Sequence, residues 1–145
     1  MAQASHSAGF TLIELAIALA VVAITTSFAV ASYRGHLLRG HRIEAAHALL
    51  GAAAEQEKFH LAHGRYADRL DVIVGSGPAG LTTASRTAHG RYRLSVEWAD
   101  ASRYRIAAAT TDERGDPLCA RMFIDESGRR GALNDGGADS TAKCW

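Results

Sequence analysis

The 145 residues carry a formal net charge of +1 and include only two cysteines. That length has room for one soluble domain and an anchor, and so small a net charge favours no class of charged partner. Two cysteines without CxxC spacing are a poor donor set for a closed tetrahedral zinc site.

Met1 to Gly9 is polar and rich in small residues, with nothing to pack. From Phe10 to Ala31 the chain is apolar on all sides and holds a single charge, Glu14. A run of about 18 or more such residues reads as a membrane-spanning helix, because ~20 residues at ~1.5 Å each cross the hydrocarbon. A carboxylate at the bilayer centre costs roughly 2.5–3.5 kcal/mol on insertion scales, so Glu14 calls for a partner. Ala16, Ala18, Ala20 and Ala23 allow close approach of a second helix. Thr25, Thr26 and Ser27 are expected to satisfy their hydroxyls on the preceding turn. Arg34, Arg39 and Arg42 follow the run and no Lys or Arg precedes it, so the positive-inside rule places the C-terminal flank in the cytoplasm. An ordinary secretory signal is the competing reading. Ala29-Val30-Ala31 fits its small-residue cleavage rule, but the apolar region exceeds the usual ~7–15 residues and contains Glu14.

Beyond Tyr33 the pattern turns amphipathic. Leu37, Ile43, Ala46, Leu50, Ala53 and Ala54 recur at mostly helical spacing among Arg39, Arg42, Glu44, Glu55 and Lys58, and form the predicted buried line. Gly35, Gly40 and Gly51 each cost about 1 kcal/mol relative to Ala, which permits a bend. His63-Gly64 supplies the stop. A helix from Phe10 to about Ala62 is ~80 Å long at ~1.5 Å per residue. One small domain has no use for that length, so the first half is expected to serve a membrane or a filament.

Val74 to Thr83 is Gly-rich but lacks the spacing of a phosphate-binding loop. Three alternating runs follow. Arg91 to Trp98 places Tyr92, Leu94, Val96 and Trp98 on one face, and Arg103 to Thr110 places Tyr104, Ile106 and Ala108 likewise. Cys119 to Asp125 places Ala120, Met122 and Ile124 opposite Cys119, Arg121 and Phe123. Antiparallel strands with one apolar face need a cover, and the second half of the helix is the candidate. The fold class is therefore α+β. The tail from Gly131 to Trp145 reads as loop. An even cysteine count behind an export-like N-terminus favours a disulfide between Cys119 and Cys144. Closing about 26 residues, it stabilises by roughly 3–4 kcal/mol on the chain-entropy model.

The stretch Gly9-Phe10-Thr11-Leu12-Ile13-Glu14 resembles the processing signature of type IV pilins and type II secretion pseudopilins. The segment Glu55 to Leu70 is similar to the corresponding part of minor pilins. The ending Cys144-Trp145, with Cys119 opening the third strand, resembles PilE-type minor pilins. The proline that many pilins carry near Ala31 is absent. The resemblance implies a pilin-like fold, a long helix packed by its second half on a three- to four-stranded antiparallel sheet. It implies a leader at 1–9, a membrane and assembly half at 10–33, and a periplasmic head at 34–145. Prepilin peptidase, which is also the methyltransferase, is expected to cut between Gly9 and Phe10 and to methylate Phe10. The freed amine of Phe10 on a neighbouring subunit is then the partner for Glu14, since a buried unpaired carboxylate is strongly disfavoured. Arg34, the nearest basic side chain, lies about 30 Å away along the helix at ~1.5 Å per residue. The implied partners are other pilins, the assembly platform and the inner membrane, with the mature subunit in a surface pilus serving twitching motility or adhesion. Two alternatives stand beside this one: a type II secretion pseudopilin, and a single-pass anchored periplasmic module that never polymerises.

No nucleophile, base and orienting group fall together, so neither an enzyme nor a cofactor is expected. His60 and His63 lie three apart without a patterned third ligand and read as surface histidines, so no metal is expected there. Asn134 to Asp139 lacks EF-hand spacing. Arg86, Arg91, Arg93, Arg103 and Arg105 could form a basic stripe across adjacent strands, with DNA as the lesser reading of its partner. The plainer reading makes them the solvated face of the sheet, with Tyr92 and Tyr104 on the buried side.

Overall fold

The computed structural model describes residues 11–70, 85–112 and 115–145, apart from the side chains of 28–32. The expected linker from Val74 to Thr83 and the residues Gly9 and Phe10 lie outside the described residues. Helix α1 spans Leu12–His63. The chain divides into two compact units, Met1–Leu37 and Leu38–Trp145.

In the first unit, Thr11 caps the helix: its Oγ1 accepts the Glu14 N–H at 3.3 Å and its carbonyl accepts the Leu15 N–H at 3.2 Å. Thr at the cap and Glu at the third helical position is the capping-box pattern. Leu12, Ile13, Leu15, Ile17, Leu19, Val21, Val22 and Ile24 are all exposed. Thr25, Thr26 and Ser27 donate their hydroxyls to carbonyls of the turn before, at 2.7–3.1 Å, as expected of hydroxyls in an apolar helix. Among the described residues, no helix is long and apolar enough to cross a membrane.

In the second unit the buried face of α1 is Ala45, Leu49, Ala52, Gln56 and Phe59. This corrects the predicted line, since Ile43 is 60% exposed and Leu50 39%. Alanines on either side of Leu49 are wholly buried with it, and small side chains carry a weak pattern beside larger ones that face outward. Gln56 is wholly buried because both ends of its amide are used: Nε2 donates to the Ala67 carbonyl and Oε1 accepts the Ala67 N–H, each at 2.8 Å. That clamp fixes the chain as it leaves the helix at Gly64, whose φ of +69° suits glycine.

The sheet is an antiparallel meander in the order β1-β2-β3-β4, with β1 at Tyr92–Ala99, β2 at Tyr104–Thr110, β3 at Arg121–Asp125 and β4 at Arg130–Leu133. Its inner face gives Tyr92, Leu94, Tyr104, Ile106, Ala108, Met122 and Ile124 to one core with Ala45, Leu49 and Ala52. The β1–β2 turn is tied by Asp100, whose Oδ1 accepts the N–H groups of Ser102 and Arg103 at 2.7 Å. The fourth strand and a short helix α2, Thr141–Cys144, correct the expectation of a loop-like tail. Gly131 lies beneath the ring of its cross-strand partner Phe123, which a Cβ there would strike. An aromatic ring covering a strand glycine lets so short a segment pair. Cys119 and Cys144 are disulfide-bonded, with Cα atoms 5.8 Å apart, and this holds α2 to the loop before β3.

Candidate nucleic-acid interface

The outer face of the sheet takes its character from an irregularity in β1. Val96 pairs with Ile106 but Trp98 pairs with Arg105, so one residue is extra between them. A bulge of this kind re-aims the side chains after it. Trp98 therefore shares the face of Arg105, not that of Tyr92, Leu94 and Val96 as the alternation predicts, and it is 40% exposed. The guanidinium of Arg105 lies 5.6 Å from the Trp98 ring centroid and 4.7 Å from that of Phe123. Arg103 approaches the same indole at 5.9 Å. The result is a ladder, Trp98, Arg105 and Phe123, running across β1, β2 and β3. Aromatic rings hold guanidinium groups by attraction to the π face, and here they fix Arg105 without a carboxylate. Its Nε is buried and has no hydrogen-bond partner among the described residues.

The five predicted arginines divide into two sets. Arg91 pairs with Asp112 at 3.1 Å, and Arg103 reaches Asp100 at 3.7 Å. Arg86 and Arg93 are exposed, their backbones forming an isolated bridge, and with Arg105 they have no carboxylate partner among the described residues. Arg121 is paired with Glu97. Beyond these, Arg130 stacks over Trp145 at 5.2 Å, and the Trp145 indole N–H donates to the Gly131 carbonyl at 2.9 Å. Tyr92 and Tyr104 are buried on the opposite face. Burial pushes both phenols well above their ordinary range, and the Tyr92 hydroxyl donates to the Cys119 carbonyl at 2.9 Å. The tyrosines thus belong to the core. The exposed aromatic of the stripe is Trp98, which alternation alone misplaces. Phe123 was legible as outward-facing.

The remaining predicted sites are separate from this face. Glu14 stands in the first unit. His60 meets the Ala101 carbonyl through Nε2 at 3.1 Å and stacks on Tyr66, while His63 meets the Phe59 carbonyl through Nδ1 at 3.0 Å and stacks on Phe59. Both are occupied in closing the end of α1. In the 134–139 loop, Asn134 Oδ1 accepts the Ala138 N–H and Asp139 Oδ1 accepts from Thr141, so these oxygens serve as local caps.

Residues 31–123 match the family described as "Type IV minor pilin ComP, DNA uptake sequence receptor". This chain belongs to that family of type IV minor pilins. Residues 4–30 match the prokaryotic N-terminal methylation motif, which spans the stretch that suggested processing. No curated protein matches the chain. A minor pilin is a structural subunit, anchored at a membrane and then carried in a pilus, and the long helix on a four-stranded antiparallel sheet is the pilin arrangement. In this minor pilin the sheet carries its outer ladder on three adjacent strands, away from the helix-covered core.

Proposed function

We propose that this minor pilin is a DNA-binding subunit of a type IV pilus, holding the duplex backbone against the outer face of its sheet. The observation that carries the reading is Arg105, held between Trp98 and Phe123 with no carboxylate to neutralise it among the described residues, with the exposed Arg93 farther along β1. The family's description as a DNA uptake sequence receptor supports the same partner. Phosphates are met by guanidinium groups, and each phosphate neutralised releases counterions, so affinity falls as salt rises. The precursor is inserted in the inner membrane with its head in the periplasm, cut between Gly9 and Phe10, and methylated at Phe10. Glu14 then meets the Phe10 amine of a neighbouring subunit in the filament. The exposed Ile43 and Leu50 on α1 support a helix that is covered by other pilins.

The test is fluorescence anisotropy on the full chain in detergent, titrated with labelled duplex DNA at several salt concentrations. Arg93→Ala and Arg105→Ala are each expected to weaken binding and to lower the salt slope by about 1. Trp98→Ala weakens it by releasing Arg105. Binding that neither arginine variant alters ends the assignment to this face.

A further inference from the structure

We propose that His41, Glu44 and His89 form a binding site for a late first-row divalent transition ion, of which Zn2+ is the type. Each of the three side chains offers one ligand atom, an imidazole nitrogen from His41 and from His89 and a carboxylate oxygen from Glu44, all within 4.8 Å of one another. Glu44 Oε2 lies 2.9 Å from His89 Nδ1 and 3.7 Å from His41 Nδ1. Ligands bonded at ~2.0–2.1 Å around a tetrahedral ion sit about 3.3 Å apart, so these separations bracket the requirement. The imidazole rings lie edge to face with centroids 5.5 Å apart, so they do not stack on each other.

The site is assembled by two elements of the second unit. His41 and Glu44 are three residues apart on α1 and so share a face one turn apart. His89 comes from the turn before β1, which is built rather than loose. The Gly90 N–H closes on the Thr87 carbonyl at 2.8 Å, and Thr87 in turn exchanges hydrogen bonds with Tyr92 on β1. Gly90 has a φ of +68°, a value that few other residues adopt.

The two carboxylate oxygens of Glu44 already have separate duties. Oε1 accepts the backbone N–H of His89 at 2.9 Å, and Oε2 faces the two imidazoles. A metal ion would take Oε2 alone, while the backbone N–H keeps the carboxylate oriented through Oε1. Metal-ligating carboxylates are commonly fixed by such an outer hydrogen bond. Two nitrogens and one oxygen exclude Mg2+ and Ca2+, which prefer all-oxygen sets, and suit zinc, copper or nickel. Both cysteines are in the disulfide and do not compete. Occupied, the site would pin α1 to the turn that leads into β1.

The experiment uses the full chain in detergent, purified without a polyhistidine tag, and titrated calorimetrically with ZnCl2. Co2+ serves as a spectroscopic probe of the ligand field. One ion per chain is expected. His41→Ala and His89→Ala should each weaken binding by at least the ~10–100-fold that outer-shell changes alone cost. His47→Ala, an exposed position on the same helix, should leave binding unchanged. Circular dichroism checks that the variants fold, and His89 sits on an exposed turn where truncation is tolerated. No uptake by the wild-type chain, or binding that survives in the His41→Ala/His89→Ala double variant, overturns the site. Equal loss in His47→Ala assigns the ion to scattered surface histidines instead.

Discussion

The guanidinium of Arg42 on α1 grips the carboxylate of Asp116 from both sides, through Nε to Oδ2 and through Nη2 to Oδ1 at 2.9 Å. Asp116 is 3% exposed, and its Oδ1 also accepts the N–H groups of Leu118 and Cys119, leading into the disulfide. Arg42 reaches onward to the Lys143 carbonyl at 3.2 Å. One side chain of the helix thus joins the loop before β3 to the C-terminal helix α2. Arg42 had counted toward a basic flank after the apolar run. Its charge is committed to Asp116 within the second unit, so the basic flank loses one of its members.

Removing Arg42 leaves a buried carboxylate without its cation. Breaking a buried pair from one side costs roughly 3–5 kcal/mol, because the remaining charge is uncompensated. Arg42→Ala is therefore expected to lower stability by that order in chemical denaturation of the full chain. Replacing both partners with apolar residues should recover only part of the loss, because the Leu118 N–H then loses its acceptor. Additive single effects in the double-mutant cycle would show that the two side chains act independently.

The disulfide is expected to act on stability rather than on the local fold of the sheet. Cys119 and Cys144 are 25 apart in sequence, and releasing such a loop costs about 3–4 kcal/mol on the chain-entropy model. Cys144→Ser should lower the denaturation midpoint accordingly. Reduction of the wild type with dithiothreitol should reproduce that loss, and should leave the variant unmoved.

Asp125 gives the head an acid-sensitive element. Burial opposes its charge, yet hydrogen bonds from Ser127 and Arg129 prevail and hold it below the usual carboxylate range. A carboxylate depressed in the folded state contributes stability that is fully present above its unfolded value of about 3.9. That contribution fades as pH falls through the lower folded value. Asp125→Asn should thus be less stable than wild type at neutral pH, and the gap should close below about pH 4. A gap that stays constant between pH 7 and pH 3 by thermal unfolding would refute the role.

Gly131 and Phe123 should couple in a sign-changing way. In the wild type, Gly131→Ala drives its Cβ into the Phe123 ring and displaces it from Arg105, so the variant loses stability. With Phe123→Ala already present, nothing opposes the new methyl, and relief of the strand-glycine penalty is worth about 0.5–1 kcal/mol. Gly131→Ala should then stabilise. Denaturant midpoints of the four proteins in the cycle decide it.

What the sequence made plain was local or strongly periodic. The processing stretch at Gly9 to Glu14, three of the strands and the burial of Tyr92 and Tyr104 could all be read from neighbours in the chain. What it hid depended on the partner element. Trp98 changes face because of how β1 registers with β2, and no single-strand pattern contains that. The helix phase turned on the buried Ala45 and Ala52, while Ile43 and Leu50 drew attention to the wrong line. The fourth strand rests on Gly131 beneath the ring of Phe123 on the preceding strand. His41, Glu44 and His89 escaped for the same reason: the third donor arrives from a turn 45 residues beyond Glu44.

At Glu14 the backbone cap is to be separated from the assembly contact proposed for the carboxylate. Its N–H is capped by Thr11, which any residue at position 14 preserves, because the bond uses the backbone. Its carboxylate is the part that an assembly role requires. Thr11→Ala should therefore cost only the cap, roughly 0.5–2 kcal/mol of helix stability. Glu14→Ala keeps the cap and loses the charge. If the carboxylate meets the Phe10 amine of a neighbouring subunit, Glu14→Ala is processed normally but is depleted from sheared pili on immunoblots, while Thr11→Ala is incorporated. Glu14→Asp should fall between them, since a shorter carboxylate keeps the charge but shifts the contact. Full incorporation of Glu14→Ala would leave the carboxylate as a feature of the helix terminus alone.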